Sequence, residues 1–61
     1  MKRFILAVEG PNLQDFEVVE LPWPPKEGDP IETRYGTCLV TSVETMPDDA
    51  TYAGKISCRM P

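Results

Sequence analysis

Histidine is absent from this chain, and basic residues are few. Without histidine, the chain lacks the commonest general base at neutral pH and the commonest metal ligand in proteins. Six lysines and arginines face ten aspartates and glutamates, which gives a formal net charge of -4. Binding to nucleic acid and to anionic membranes requires a basic surface, so we expect neither as a partner. A partner protein with a basic surface or groove is compatible with this charge.

Long hydrophobic runs are also missing. No segment approaches the ~20 apolar residues that are needed to cross a bilayer. The apolar run near the start lasts only from Phe4 to Val8. That is shorter than the roughly 7–15 apolar residues of a signal-peptide core, so it indicates a first strand. We therefore expect a cytoplasmic protein.

Cys38 and Cys58 are the only cysteines. Without histidine or a C-x-x-C spacing, they predict no metal site and no Cys–His nucleophile. Both lie in apolar stretches, which favours buried core thiols, although a disulfide is geometrically possible if their strands are neighbours. The adjacent acids Asp48 and Asp49 indicate a polar loop, because a calcium loop needs more oxygen ligands. We expect no cofactor and no catalytic residue.

Strand-forming sequence dominates what is present. The 61 residues are 41% hydrophobic, which is enough for one compact core and predicts a single small β domain over residues 1–61. No segment shows the 3.6-residue period of a helix, and seven prolines leave little room for one. The predicted strands cover residues 2–8, 15–21, 31–34, 37–45 and 52–60.

Three local features refine these strands. The last strand has the clearest period of two, with Ile56 and Cys58 on an apolar inner face and Lys55 on a basic outer face. Gly54 within it suggests a sharp bend or a bulge. A bulge near Thr41 would turn the two valines of the fourth strand towards one core. In the second strand, the glutamates at 17 and 20 are expected to face solvent.

Five strands with short connections predict an all-β fold, either a small barrel or a strongly bent antiparallel meander with little or no helix. Residues 25–31 read Pro-Lys-Glu-Gly-Asp-Pro-Ile, residues 35–37 read Tyr-Gly-Thr, and Val40 and Val43 follow. This stretch, about residues 25–43, resembles the central hairpin of SH3-like small β-barrel proteins of bacteria and phages. It lacks the basic loop residues of the nucleic-acid-binding members. The resemblance implies a five-stranded SH3-like barrel and transfers no function.

Trp23 is the only tryptophan, and it stands between Pro22 and the pair Pro24 and Pro25. Proline fixes φ and removes a backbone donor, so this segment predicts a stiff surface connection. An exposed Trp23 would be a rigid anchor for a partner, and the Pro-x-x-Pro spacing is typical of polyproline II ligands. Alternatively, Trp23 plugs an open barrel end, which we favour because its burial would add much apolar area to so small a core.

The outer face of the last strand carries Lys55 and Arg59, with Ser57 between them. These two charges could form a basic stripe for an acidic partner. More often, a lysine on an outer strand prevents unwanted edge pairing, and we favour that role.

Two functions of different class follow. The first is a non-catalytic protein-interaction module that self-associates as a homodimer or larger assembly, since so small a β domain gains most by burying surface against another copy. One version is a phage or mobile-element protein that blocks a basic site of a host protein. The candidate partner-binding residues are Trp23, Pro22, Pro24, Pro25, Lys55 and Arg59.

The alternative is a small enzyme or enzyme subunit whose site forms at an oligomer interface. Its polar groups would be Tyr35, Tyr52, Arg34 and Arg59. The missing histidine and the lack of paired carboxylates in apolar sequence make this alternative the weaker one.

Overall fold

The structure is a computed structural model that describes residues 1–61. It has no helix, and its strands are β1 (Lys2–Gly10), β2 (Leu13–Leu21), β3 (Pro30–Thr33), β4 (Gly36–Thr45) and β5 (Gly54–Arg59). They form one five-stranded sheet in the order β2-β1-β5-β4-β3, which is curled into a half-barrel. The predicted all-β, barrel-like fold is confirmed. No helix long and apolar enough to span a bilayer is present.

The sheet is mixed rather than a purely antiparallel meander. β1 pairs with β5 in parallel, whereas the β1–β2, β3–β4 and β4–β5 pairs are antiparallel. The parallel pair arises because the loop after β4 brings the chain back to a point between β1 and β4. β1 therefore has a neighbouring strand on both sides, β2 and β5.

The β1–β2 hairpin is longer than the sequence pattern indicated. Its ladder runs from the pair Lys2 and Leu21 to the pair Gly10 and Leu13, so Pro11 and Asn12 are the only turn residues. Proline and asparagine are favoured in turns because of the fixed φ of proline and the local hydrogen bonding of asparagine. This tight turn fixes the register, and with it the face that each β2 side chain occupies.

The core is a single cluster on the inner face of the half-barrel. Full burial of a large aliphatic or aromatic side chain contributes roughly 1.5–3 kcal/mol. All members except Ile31 come from β1, β4 and β5, and β2 supplies none of them. The fully packed residues are Phe4, Leu6, Val8, Ile31, Cys38, Val40, Ile56 and Cys58.

The inner face of β5 is confirmed, because Gly54, Ile56 and Cys58 are all buried. The strand is shorter than expected and begins at Gly54. Gly54 forms no bulge; instead, a Cβ at this position would lie 2.5 Å from the carbonyl oxygen of Glu44. Glycine is required here by the close approach of the β4 backbone.

The bulge expected in β4 is confirmed. The register with β5 shifts between Val40 and Ser42, which leaves Thr41 as the extra residue. The Thr41 hydroxyl donates to the Ser57 carbonyl oxygen at 3.2 Å. As a result, Val40 is buried and Val43 packs against the same core.

Cys38 and Cys58 are buried free thiols, which confirms their placement in the core. Burial raises the pKa of the Cys58 thiol to about 12, and the hydrogen bond with the Cys38 thiol contributes to the same shift. At neutral pH, Cys58 is therefore protonated and packs as a small apolar side chain.

Met60 closes one end of the half-barrel. Its N–H donates to the Glu9 carbonyl oxygen at 2.7 Å, and its side chain packs against the core. Gly10 and Gly36 lie beside it, since a Cβ on either would be in van der Waals contact with the Met60 side chain, at 3.5 or 3.4 Å. Gly36 also has a φ of 115°, which disfavours any other residue there.

Candidate interaction surface

An apolar patch lies on the outer face of the half-barrel, away from the core. It consists of Ile5 and Ala7 from β1 with Phe16 and Val18 from β2, and we call it the outer patch. Ile5 lies opposite Val18, and Ala7 lies opposite Phe16. Phe16 and Val18 are 57% and 54% exposed. Two large apolar side chains are thus presented to solvent on adjacent outward positions of one strand.

Charged side chains border the outer patch. The Lys55 ammonium lies 5.7 Å from the centroid of the Phe16 ring, within the range of a cation–π contact. Arg3 and Glu20 form an exposed ion pair at 3.5 Å at the next row of the sheet. Lys55, one of the predicted partner-binding residues, therefore borders the outer patch and contacts it through Phe16.

The backbone of β2 is unpaired along one side, because β2 is an edge strand. In an antiparallel edge strand, alternate residues point their N–H and C=O groups away from the neighbour. The Phe16 N–H donates to Asp15 Oδ1 at 2.8 Å and not to β1. Phe16 is therefore one of the residues whose backbone groups point away from β1. By alternation, the others are Gln14, Val18 and Glu20. No backbone hydrogen bond outside the ladders involves β2.

The inner face of β2 is held by two contacts to the β3–β4 turn, which we call the clasp. The Arg34 Nε donates to Glu17 Oε1 at 3.0 Å, and the Tyr35 hydroxyl donates to the Asp15 carboxylate. The Glu17 side chain is only 11% exposed, so the expectation that it faces solvent is wrong. The hairpin register places Glu17 opposite Leu6 on the inner face, where Arg34 reaches it across the open side.

The clasp also sets the charge of its members. The hydrogen bond from Tyr35, with that from the Phe16 N–H, holds the pKa of Asp15 below its ordinary value. The same bond raises the pKa of Tyr35, and the hydrogen bond to Glu17 raises the pKa of Arg34. At neutral pH, Asp15 is therefore ionised and the charge of Glu17 is balanced by Arg34.

Trp23 is 71% exposed, so the favoured expectation that it plugs the barrel is wrong. The core is filled without it, because the eight residues of the buried cluster all come from the strands. Pro22 and Pro24 are exposed and Pro25 is half-buried, and the chain bends at Pro22 and Trp23 rather than forming a straight polyproline helix. The structure therefore has the tryptophan in the exposed position that an anchor requires.

Lys55 and Arg59 share the outer face of β5, as the alternation predicts, and Arg59 is exposed. However, β5 lies between β1 and β4, so the favoured role in preventing edge pairing is wrong. Across the ladders, Lys55 lies opposite Glu44 and Arg59 lies opposite Glu9. The basic stripe is thus flanked by acidic residues.

A shallow groove of about 380 Å³ lies at the Lys2 end of β1, between Glu20 and the loop that precedes β5. Asp49 shapes this loop, because its Oδ1 accepts the N–H groups of Thr51 and Tyr52 at 2.7 and 2.8 Å. These bonds lower the pKa of Asp49. Asp49 thus organises a polar loop, the kind of segment that the acidic pair indicates in the sequence.

The residues of the enzyme alternative are dispersed within one chain. Tyr52 lines the groove, Arg34 and Tyr35 belong to the clasp, and Arg59 lies on the outer face. No group of three or more His, Cys, Asp or Glu side chains is placed to hold a metal ion. Within one chain, the polar groups of the enzyme alternative therefore do not converge on one site.

Comparison with protein-family models, curated proteins and solved structures found no significant match. The fold and the surface geometry are consequently the basis for any functional assignment.

Sequence analysis missed the outer patch, although its signal is present in the chain. Phe16 and Val18 alternate with Glu17 and Val19, so one of the two faces had to carry exposed apolar side chains. The Pro11–Asn12 turn decides which face that is, because it sets the register against β1.

Proposed function

We propose that this protein is a non-catalytic interaction module that self-associates, and that the outer patch and the free edge of β2 form its contact surface. The observation that carries the proposal is the exposure of Phe16 and Val18 on a strand whose outward side makes no hydrogen bond to another strand. Natural proteins use proline, lysine, inward-pointing charges or a covering segment to keep exposed edge strands from pairing. In β2 the inward charges of Asp15 and Glu17 are already bound in the clasp. β2 spans nine residues and contains neither proline nor lysine.

The size of the core supports the same proposal. Only eight residues form the buried cluster, and a chain of this length is marginally stable by itself. A partner that binds only the folded state adds stability by mass action. Burying Phe16 and Val18 against another copy would extend the apolar contacts beyond those of the single chain.

A cytoplasmic location is part of the proposal. It is supported by the two free core thiols, Cys38 and Cys58, which lie on the neighbouring strands β4 and β5. In oxidising compartments, neighbouring thiols of small domains commonly form disulfides.

Sedimentation velocity and light scattering over low to high micromolar concentrations test the proposal. We expect the wild-type chain to change from monomer to dimer as concentration rises. Val18→Lys places a charge in the outer patch and should remain monomeric. The matched control is Leu39→Lys, since Leu39 is an exposed apolar strand residue on β4; it should dimerise like the wild type. A wild-type chain that stays monomeric throughout would contradict the proposal.

A second candidate function is binding of a different protein through Trp23, which the 71% exposure of its side chain favours. Tryptophan is enriched among residues that dominate binding energy, and flanking prolines reduce the entropy lost on binding. Affinity capture with wild type and Trp23→Ala, both checked for the same circular dichroism spectrum, tests this candidate. One partner should be lost from the variant, and identical captured proteins would rule it out.

A further inference from the structure

We infer that the occupant of the β2 edge is β2 of a second copy, antiparallel, with the two-fold axis passing between the two Glu17 residues. The inference rests on the proposed function and specifies its partner and its register. A two-fold axis makes the contact self-complementary, because each residue meets the partner position at equal distance on the other side of the axis.

The outward backbone groups define which registers are possible. Outward residues of one edge strand bond to outward residues of the other, and in β2 these are Gln14, Phe16, Val18 and Glu20. An axis at Glu17 places Phe16 opposite the partner's Val18, and Gln14 opposite the partner's Glu20. Every outward residue then has an outward counterpart, and the Phe16 N–H, which is bonded to Asp15 Oδ1 in the single chain, exchanges that acceptor for the carbonyl oxygen of the partner's Val18.

Side chains on the outer face match in this register. β1 places Ala7 beside Phe16 and Ile5 beside Val18, so the dimer would have an unbroken apolar row running from Ala7 through Phe16 to the partner's Val18 and the partner's Ile5. The next row runs from Arg3 through Glu20 to the partner's Gln14, whose amide donates to the Glu20 carboxylate. Apolar side chains therefore meet apolar ones, and polar side chains meet polar ones.

Neighbouring registers match less well. An axis at Val18 places Phe16 opposite the partner's Glu20, which sets a ring against a carboxylate. An axis at Phe16 places Val18 opposite the partner's Gln14, which sets an apolar side chain against an amide. It also places Asp15 opposite the partner's Glu17, which juxtaposes like charges twice because of the symmetry. Directly opposed like charges destabilise strand pairing, whereas paired apolar side chains stabilise it.

On the inner face, an axis at Glu17 sets the two Glu17 carboxylates opposite each other. The clasp balances them, since Arg34 contacts Glu17 at 3.0 Å in each copy. Two guanidinium groups therefore accompany the two carboxylates. Asp15, which is held by Tyr35, lies opposite the partner's Val19 and meets no charge of its own sign.

Disulfide trapping of Glu17→Cys tests the register. Directly opposed residues of antiparallel strands have Cα atoms about 4.5–5.5 Å apart, which a disulfide can bridge. The native thiols do not interfere, because Cys38 and Cys58 are buried. With oxidised glutathione, we expect Glu17→Cys to form covalent dimers about tenfold faster than Val18→Cys, whose two copies lie too far apart for direct bonding. The wild type should form none.

A mixture of Gln14→Cys and Glu20→Cys provides a second test that leaves the clasp intact. We expect a covalent heterodimer of the two variants to predominate, and its absence in a sample that is dimeric by light scattering would overturn the inference. Faster trapping of Val18→Cys than of Glu17→Cys would also overturn the register, while the proposed function would stand. A wild-type chain that is monomeric by light scattering would contradict both the register and the proposed function.

Discussion

The two edges of the half-barrel, β2 and β3, differ in length, in protection and in their share of the core. β3 has four residues and begins with Pro30, which has no N–H to offer. β2 has nine residues, and Phe16 and Val18 are exposed along it. The β3 edge is therefore too short and too poor in donors to pair well with another strand, whereas the β2 edge is long and accessible. For this reason we assign the interaction surface to β2 rather than to the sheet as a whole.

The edges also differ in how they are attached. β3 sends Ile31 into the core, and its hairpin is reinforced by hydrogen bonds from the Thr33 hydroxyl to the Gly36 carbonyl oxygen and from the Thr37 hydroxyl to Glu32. β2 sends no residue into the fully buried cluster and is held by the β1 ladder and by the clasp. In addition, β2 packs three partly buried side chains against that cluster, those of Leu13, Val19 and Leu21.

The centre of the sheet supports both edges. Gly54→Ala, in the central strand β5, should therefore lower the free energy of unfolding more than any other change considered below. A Cβ there would overlap the Glu44 carbonyl oxygen at 2.5 Å, so the β4–β5 ladder must shift. We expect a loss of about 3 kcal/mol or more in the free energy of unfolding, measured by urea denaturation. Gly10→Ala, where the nearest atoms lie 3.4 Å away or more, is the control. Equal stability of the two variants would contradict this account of Gly54.

The next largest change in stability should come from a core residue of one edge, compared with a surface residue of the other edge. Ile31→Ala removes a core side chain from β3 and should lower the free energy of unfolding by about 2–4 kcal/mol. Val18→Ala, on the outer face of β2, should change the stability of the monomer by only about 0.5 kcal/mol while weakening association. Urea denaturation at low protein concentration separates the two effects. The comparison of the edges fails if Val18→Ala destabilises the monomer as much as Ile31→Ala.

Local patterns in the sequence were sufficient for parts of the fold. The inner face of β5, with Ile56 and Cys58, follows from a period of two that needs no knowledge of the neighbouring strands. The bulge at Thr41 follows in the same way, because only an extra residue lets Val40 and Val43 face one core. These features depend on residues that are close in the chain.

The candidate surface depends on contacts that are distant in the chain. Alternation does not specify that β5 pairs with β1 in parallel. The exposure of Trp23 depends on whether residues of the strands fill the core, as Phe4 and Ile56 do. The burial of Glu17 depends on Arg34, which reaches it only after the sheet has curled. These features therefore required the structure.

A smaller effect is expected from the clasp. Glu17→Gln and Arg34→Gln should each lower the urea midpoint, and the double variant should lose less than the sum, because both changes remove the same contact. Arg3→Gln, which removes the exposed pair with Glu20, should have a lesser effect. Additive losses at positions 17 and 34 would show that the clasp does not attach β2.

The smallest changes in stability should be those caused by pH, through the titration of Asp15 and Tyr35 in the clasp. The folded pKa of Asp15 lies below its ordinary value of 3.8, so its contribution is present above that value and is lost as pH falls through the folded pKa. The folded pKa of Tyr35 lies above its ordinary value of 10.0, so its contribution is present below that value and is lost as pH rises through the folded pKa.

Tyr35→Phe tests both ends of this profile, because it removes the hydrogen bond that shifts both groups. We expect shallower losses of stability in acid and in alkali, measured by urea denaturation across pH. Asp49→Asn should flatten the acid limb alone, since Asp49 is held by backbone N–H groups. An alkaline limb unchanged by Tyr35→Phe would contradict the assignment.

Residue-resolved amide hydrogen exchange at low and high protein concentration tests the difference between the edges most directly. Pairing through β2 should protect the outward amides of Gln14, Val18 and Glu20 as concentration rises, while the Glu32 amide of β3 stays unchanged. Protection that appears at Glu32, or that appears at no β2 amide although the protein dimerises, would contradict the assignment of the binding edge.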